Sequence, residues 1–235
     1  MAVATVSIAA SAFAATAARA TSAVRPPSRD RAWVARLLAP VAARSGPGRG
    51  RVVGRLSPFA SWHGGAVSLL VLRAGVGDDR RLWLRVLLPV RPNGTAGWIP
   101  ADGVELRATA WRIEISTEHR TLTLLRDGER VVVVRAVVGA AATPTPRGLF
   151  AIYERVRRAR AGGFLGAWAL HLTAFSDVLR RFDGGPGRVA IHGRGGASLR
   201  DALGSAQSHG CVRVSNAAVR LLAAHAREGT PVLID

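Results

Sequence analysis

Short apolar runs separated by two-residue turn signals fill most of the chain. Asn93-Gly94 and Asp127-Gly128 are two such signals, and both dipeptides favour the tight turn of a β-hairpin, whose central residues need a positive φ. The runs beside them alternate apolar and polar residues, as half-buried strands do. Apolar residues at helical spacing are clear only in the segment 215–229. The sequence therefore predicts a mainly β fold with one clear helix.

Composition and patterning divide the chain into four segments. Residues 1–24 are expected to be a signal or export segment, because small residues near the end suit signal-peptidase cleavage; since a basic start is missing, a disordered Ala-rich tail is the alternative. Residues 25–50 are rich in Arg, Pro and Gly and are expected to form a basic linker, with a short helix near residues 32–38. Residues 51–108 contain short strands, and residues 109–235 form a second β-rich unit with the helix.

The first β-rich segment has the turn and aromatic pattern of a small barrel. Trp83 begins a strand before the Asn93-Gly94 turn, and Gly-Trp-Ile at residues 97–99 opens the partner strand. This stretch resembles a bacterial SH3-like barrel, in which such a segment precedes the last strand. Trp83 and Trp98 are expected to fill the core rather than to bind a ligand, because a small barrel needs large side chains inside.

The charge is strongly basic. The chain carries 33 Lys and Arg residues, all of them Arg, against 15 Asp and Glu, a formal net charge of +18. Such a surface favours polyanions, whether nucleic acid, anionic lipid or acidic cell-wall polymer. Nucleic-acid binding would need basic residues clustered with exposed aromatics. The arginines are instead spread along the chain and aromatics make up 6% of it, so no nucleic-acid partner is predicted.

The only cysteine lies among residue types that suit covalent catalysis. Cys211 stands in the segment 208–213, Ser-His-Gly-Cys-Val-Arg, and His192 ends an apolar run sixteen positions before that segment begins. A thiol of ordinary pKa is mostly protonated near neutral pH, so a cysteine nucleophile needs a base such as His192. Gly210 permits a backbone bend that aims amides at one point, as an oxyanion hole requires. Arg213 carries the fork that can hold a substrate carboxylate.

Each of these residues also has an ordinary interpretation: a buried cysteine, a structural histidine or a surface arginine. Their combination favours a catalytic thiol. A single cysteine excludes an internal disulfide and a CxxC metal site. The other histidines show no ligand spacing, so no metal is predicted.

These residues resemble the signature of the L,D-transpeptidase family, the YkuD-like enzymes of bacterial cell walls. The Asp127-Gly128 hairpin, the Pro-rich loop at residues 143–148 and the final helix follow in the family's order over most of residues 110–235. The resemblance implies a C-terminal β-sandwich whose cysteine forms a thioester acyl-enzyme from a peptidoglycan stem tetrapeptide. Release of the terminal D-alanine and formation of a 3–3 cross-link would follow, with no cofactor.

The resemblance also implies roles for individual residues. Cys211 is the nucleophile and His192 the general base, oriented by a backbone carbonyl at Gly193. Ser208 and His209 shape the cleft, and the amides of the segment 209–211 bind the oxyanion. The implied catalytic set is Cys211, His192, Gly193, Ser208, His209 and Gly210. The residues expected to contact substrate are Arg213, Trp168 and His171, although a place in a core strand or loop is an equal alternative for the last two.

The expected partners are peptidoglycan stem peptides and carbapenem-type inhibitors, which would acylate the cysteine. The arginines suit retention on anionic cell-wall polymers, and the expected location is outside the cytoplasm. Two alternatives stay open. The same acyl-enzyme could be resolved by water or by a protein amine, giving an L,D-carboxypeptidase or an anchoring enzyme. A catalytically inert protein that binds polyanions or the cell wall is the other.

Overall fold

The computed structural model describes residues 24–60, 63–182 and 184–235. Within these ranges the chain forms seventeen β-strands and one α-helix, which confirms the mainly β fold with one helix. The predicted export segment, residues 1–24, lies outside the described residues except for Val24. No helix in the described ranges has the length and hydropathy needed to cross a membrane.

The N-terminal unit, residues 24–109, is built on one antiparallel sheet. Its strands are β1 (Ala32–Leu37), β2 (Val41–Arg44), β3 (Val52–Leu56), β4 (Ser68–Val76), β5 (Leu82–Leu87), β6 (Ala96–Pro100) and β7 (Val104–Thr109). They pair in the order β3-β2-β6-β5-β4-β1-β7. Trp83 and Trp98 are buried in this unit, as expected for core residues, and residues 93 and 94 form the predicted turn between β5 and β6.

The structure corrects the expectation for residues 25–50. This segment is not a solvated linker, because it contributes β1 and β2 to the sheet, and residues 32–37 form a strand where a short helix near residues 32–38 was expected. Ala32, Val34 and Leu37 are buried, and β1 pairs with both β4 and β7. A short apolar run shows no periodicity that distinguishes a strand from a helix. Hydrogen bonding to a strand on each side therefore determines that this run is a strand. The resemblance of residues 51–108 to an SH3-like barrel stays a prediction.

The C-terminal unit, residues 110–235, contains the remaining elements. They are β8 (Trp111–Ser116), β9 (Thr121–Arg126), β10 (Glu129–Arg135), β11 (Val138–Gly139), β12 (Gly148–Arg157), β13 (Trp168–Phe175), β14 (Arg188–His192), β15 (Ala206–Ser208), β16 (Val212–Arg213), α1 (Asn216–His225) and β17 (Pro231–Ile234). Eight strands form a sheet in the order β10-β9-β8-β17-β12-β13-β14-β16, and β11 pairs separately with β15. The helix α1 packs against β13 and β14.

Local sequence accounts for the boundaries of several elements. Asp127 and Gly128 have φ values of 51° and 82°, as the predicted two-residue hairpin turn requires. The hydroxyl of Ser215 accepts a hydrogen bond from the Ala218 N–H at 3.1 Å and so caps α1. The buried residues Val219, Leu222, Ala223 and Ala226 form the predicted apolar stripe.

The helix ends at His225, four residues before the predicted end at Gly229. Gly229 has a φ of 85°, and a Cβ there would lie 2.2 Å from Cγ1 of Val34 in β1. Glycine is therefore needed at a close approach between the two units rather than directly at the helix end. A small buried cluster of Ala32, Leu70, Leu87 and Ala151 joins the same two units.

Candidate active site

A cavity of about 580 Å³ opens in the C-terminal unit at one end of the larger sheet. Five of the residues that the sequence singled out line it: Cys211, His192, His209, Arg213 and His171. Trp168 does not line it, and its ring packs against the hydrophobic core instead. The structure therefore places His171, but not Trp168, in the cavity lining.

Parallel pairing of two strands brings the cysteine beside the histidine. In the register of β14 and β16, Ile191 lies opposite Val212 and His192 opposite Arg213. Ile191 and Val212 are fully buried in the core. Because strand side chains alternate between faces, Cys211 and His192 point to the other face and line the cavity. Two short strands thus unite residues that are nineteen positions apart in the sequence.

A hydrogen bond fixes the tautomer of His192. Its Nδ1 lies 2.7 Å from the carbonyl oxygen of Gly193. A carbonyl oxygen only accepts, so Nδ1 must carry the hydrogen, and Nε2 is left able to take a proton. The geometry agrees with the role that the sequence assigned to the Gly193 carbonyl. A Cβ at Gly193 would lie 2.1 Å from Oδ1 of Asn216, so a larger residue does not fit there.

The resting thiol and imidazole are both neutral at pH 7. Burial lowers the pKa of His192 to about 4; the hydrogen bond to Gly193 opposes this shift, and the charge of Arg213 adds to it. Burial also raises the pKa of the Cys211 thiol, while a backbone hydrogen bond from Ala190 and the charge of Arg213 act in the opposite direction. The proton therefore stays on Cys211 at rest, and Nε2 of the neutral His192 is available to accept it only as the sulfur attacks a carbonyl group.

The turn before Cys211 is held by its own polar groups. The Ser208 hydroxyl donates to the carbonyl oxygen of Cys211 at 2.5 Å and accepts from the Gly210 N–H at 3.1 Å. Gly210 has a φ of 111°, a conformation that favours glycine. Ser208 therefore holds Cys211 in place from a buried site, since only 1% of the surface of Ser208 is exposed.

This turn changes the expected oxyanion hole. The Gly210 N–H was predicted to help bind the oxyanion, but it donates to Ser208 instead. Because one N–H cannot serve both partners well, the backbone N–H groups of His209 and Cys211 are the better donors for an oxyanion. Gly210 contributes its backbone conformation rather than its amide.

Arg213 is engaged within the protein. It forms a buried ion pair with Asp201, and its guanidinium lies 5.0 Å from the centre of the Phe164 ring. Its Nε is buried without a hydrogen-bond partner in the described part of the chain. Because Asp201 occupies Nη1, the expected two-point grip on a substrate carboxylate could use only the edge formed by Nε and Nη2.

Asn216 lies beside the site, although its sequence position gave it no role there. Its Oδ1 accepts from the N–H groups of Ala167 and Arg194 at 2.9 and 3.3 Å, and its Nδ2 donates to the Arg194 carbonyl at 2.8 Å. It thereby holds the loop that follows His192. A polar residue just after a helix cap is common, so the sequence carried no signal for this role.

No group of three or more His, Cys, Asp or Glu side chains in the described ranges is arranged to hold a metal ion. The groups available for chemistry at this site are the Cys211 thiol, the His192 imidazole and backbone amides.

Comparison with known proteins identifies the family. A sequence profile of the YkuD L,D-transpeptidase catalytic domain matches residues 110–234, just over half of the chain. A Bacillus licheniformis protein assigned as the L,D-transpeptidase YkuD is 31% identical over 166 residues, which span 68% of this chain and 90% of that protein. The Bacillus subtilis protein of the same assignment is 28% identical over 166 residues, 68% of this chain and 91% of its own length.

Solved structures of L,D-transpeptidases match less closely. An Enterococcus faecium mutant enzyme shares 22% identity over 53% of this chain and 49% of that chain, with a TM-score of 0.40, so this chain spans about half of that one. L,D-transpeptidase 3 from Mycobacterium tuberculosis, in complex with a faropenem-derived adduct, shares 15% identity over 72% of this chain and 91% of that chain, with a TM-score of 0.44. The assignment therefore depends on the sequence matches, and by these the chain belongs to the L,D-transpeptidase family, with its YkuD catalytic domain at residues 110–234.

Proposed function

We propose that the protein is a peptidoglycan L,D-transpeptidase that forms 3–3 cross-links through a thioester on Cys211. One observation carries the proposal: the only cysteine and a histidine of fixed tautomer line the same cavity. Family membership supplies the substrate class. Because peptidoglycan lies outside the cytoplasm, the proposed place of action is extracytoplasmic.

The first half-reaction breaks the amide that joins the third stem residue to the terminal D-alanine. The Cys211 thiol gives its proton to Nε2 of His192 as the sulfur attacks the amide carbonyl. The backbone N–H groups of His209 and Cys211 stabilise the oxyanion, a contribution of about 2.7–4 kcal/mol for each well-placed donor. When the C–N bond breaks, the proton passes from His192 to the amine of the departing D-alanine, and a thioester is left on Cys211.

The second half-reaction uses the side-chain amine of a neighbouring stem. Its nitrogen attacks the thioester carbonyl while His192 accepts the amine proton, so that a new amide forms and the thiolate leaves. Proton return from His192 restores the thiol. Because the hydrogen bond from Nδ1 to the Gly193 carbonyl fixes the tautomer, Nε2 of His192 can transfer the proton in both half-reactions.

The charge of the cavity suits an anionic peptide. Its described lining includes Arg158, Arg160, Arg188 and Arg213 and no carboxylate side chain. Peptidoglycan stems carry carboxylates, which such a surface attracts. The net charge of +18 extends this attraction to anionic wall polymers. Substrate attraction therefore rests on these four arginines together rather than on Arg213 alone.

Two related activities differ from this proposal only in the acceptor. Water at the thioester would make the protein an L,D-carboxypeptidase, and a protein amine would make it an anchoring enzyme. The inert polyanion-binding alternative has less support, because it gives no role to the fixed tautomer of His192 or to the Ser208 hydrogen bonds that hold the cysteine turn.

The test is intact-protein mass spectrometry of the full chain mixed with a carbapenem, with Cys211→Ala as the matched control. The expected result is one adduct per chain in the wild type and none in the variant. A disaccharide-tetrapeptide follows, for which cross-linked dimer plus free D-alanine is expected. Free D-alanine and tripeptide without cross-linked dimer would show that water resolves the thioester, and that the protein is a carboxypeptidase. If folded wild-type protein forms no adduct, the proposed acyl-enzyme on Cys211 is wrong.

A further inference from the structure

One side of the cavity mouth belongs to the connection between β13 and β14. We name this connection the cavity wall, residues 176–182 and 184–187. Phe182 and Gly185 line the cavity and are joined by backbone hydrogen bonds of 3.0 and 2.9 Å in both directions. The Phe182 ring packs on His209 with ring centres 5.2 Å apart. Because His209 is two residues from Cys211, the position of the wall sets the width of the opening beside the nucleophile.

The cavity wall buries little apolar surface of its own. Phe182 and Val178 are 44% and 54% exposed, and residues 180 and 181 are also exposed. A segment of this kind gains little from the hydrophobic effect and opens easily unless other groups hold it. The polar contacts that reach it from outside therefore decide where it lies.

Arg91 supplies most of those contacts and comes from the N-terminal unit. It lies in the loop between β5 and β6. Its Nη1 donates to the Ser176 carbonyl at 2.7 Å, and its Nη2 donates to the carbonyls of Leu179 and Pro186, each at 3.1 Å. Ser176 and Leu179 are on the outgoing leg of the wall and Pro186 is on the returning leg. A planar guanidinium thus ties both legs together, and hydrogen bonds from a charged donor are stronger than neutral ones.

Asn93, from the same loop, holds the start of the wall. Its side-chain amide pairs with the backbone of Phe175, accepting from the N–H at 2.9 Å and donating to the carbonyl at 2.7 Å. Its Nδ2 also lies 3.1 Å from Oδ1 of Asp177. The amide imitates the backbone of a neighbouring strand where β13 ends, and so fixes the direction in which the wall leaves the sheet.

A stack of side chains continues from this loop to the cavity. The guanidinium groups of Arg91 and Arg188 lie 4.8 and 4.4 Å from the centre of the Phe175 ring. Arg188 lines the cavity, and its Nη2 lies 3.4 Å from the carbonyl of Pro89 in the β5–β6 loop. The loop therefore contacts the wall and one of the cavity's cations together.

We infer that the β5–β6 loop of the N-terminal unit is a positioning element of the active site. Arg91 and Asn93 hold the cavity wall so that Phe182 covers His209, and this sets how a stem peptide enters the cavity. The inference rests on the proposed function for its substrate. It assigns the N-terminal unit a part in substrate binding that is independent of any ligand of its own.

The experiment compares full-length Arg91→Ala, Arg91→Lys and Asn93→Ala with Arg85→Ala, an exposed arginine of β5 in the same unit. We expect KM for the disaccharide-tetrapeptide to rise about tenfold in Arg91→Ala and Asn93→Ala, a typical size for coupling between sites, with a smaller change in kcat. Lysine cannot bond both legs as the planar fork does, so Arg91→Lys retains most of the defect. Alkylation of Cys211 by iodoacetamide, a small reagent, and turnover by Arg85→Ala should match the wild type.

A double variant shows whether Arg91 acts through the wall. Phe182→Ala should raise KM as Arg91→Ala does, and the two changes together should add nothing further. Wild-type KM in both Arg91→Ala and Asn93→Ala, or effects that multiply in the double variant, would overturn the inference. If Arg91→Ala does not fold, the uncharged Asn93→Ala carries the same test.

Hydrogen exchange separates this inference from the proposed function. Backbone amides of the cavity wall should exchange faster in Arg91→Ala and Asn93→Ala than in Arg85→Ala, whether or not the tetrapeptide is a substrate. A wild type without turnover would defeat the proposed function, while faster exchange would still support the positioning role. Unchanged exchange in both variants would defeat the positioning role alone.

Discussion

The turn at residues 208–213 and the cavity wall border the same cavity, but they are held in different ways. The turn is closed by its own Ser208 hydroxyl, and its strand pairs with β14 a short distance away in the sequence. The wall is held by Arg91 and Asn93, which lie more than eighty residues earlier in another unit.

This contrast separates chemistry from access. In the proposed mechanism Cys211 and His192 carry out bond making, and the hydrogen bonds and strand pairing described for them come from the C-terminal unit. Residues of the wall decide what reaches them, and their geometry depends on both units. Changes near the turn should therefore affect every acylating agent equally, whereas changes in the wall should affect peptides more than small reagents.

The largest expected effect is on the chemical side. His192→Ala removes the base that accepts the thiol proton, so acylation of Cys211 by a carbapenem should slow by at least about 100-fold. The rate is measured by intact-protein mass spectrometry. His225→Ala is the matched control, because His225 lies on α1 away from the cavity lining. Wild-type rates in His192→Ala would show that His192 is not the base. The proposed division between residues for chemistry and residues for access would then lose its main support.

The next effect is on stability as the pH falls. The pKa of His192 is about 4 in the folded state and 6.5 in the unfolded one, so between these values the unfolded state binds more protons and acid destabilises the fold. Complete passage through this window costs about 3 kcal/mol from His192 alone. Urea unfolding at pH 7 and pH 4 measures the loss, which should be smaller in His192→Asn. Equal pH dependence in that variant would show that His192 is not buried in its neutral form.

Asn216→Ala should have a smaller effect. It removes three hydrogen bonds that hold the loop after His192, at a cost of about 2 kcal/mol in the free energy of unfolding, and slows acylation by carbapenem and peptide alike. Ser215→Ala is the control, since loss of its helix cap costs about 1 kcal/mol without touching that loop. Normal acylation by Asn216→Ala would show that the loop holds His192 without it.

Ser208→Ala should have the smallest effect, about 1 kcal/mol of stability, together with a several-fold slower acylation that is equal for carbapenem and peptide. In Ser205→Ala, which loses a hydrogen bond from the hydroxyl to the exposed Gln207 side chain, both quantities should stay unchanged. If Ser208→Ala slows acylation by the peptide but not by the carbapenem, the turn controls substrate access rather than chemistry, and the proposed difference between turn and wall is wrong.

Sequence alone determined the elements whose signals are local. The turn at Asp127-Gly128, the buried stripe of α1 and the segment around Cys211 each follow from a few neighbouring residues. A cysteine nucleophile needs a base, which made His192 a candidate partner of Cys211, and the resemblance to a family strengthened that prediction. For each of these features, the residues that form the turn, helix or motif are the same residues whose sequence pattern predicts it.

Tertiary structure decided the rest, because the deciding contacts join distant residues. Residues 32–37 look like part of a linker by composition, and only pairing with β4 and β7 makes them a strand. Arg213 has no partner that the sequence reveals, and only the fold brings Asp201 to one nitrogen of its guanidinium. Arg91 is one arginine among 33 in the sequence, and no local pattern separates it from the others. Its role arises because two units bring its guanidinium against carbonyl groups of the cavity wall.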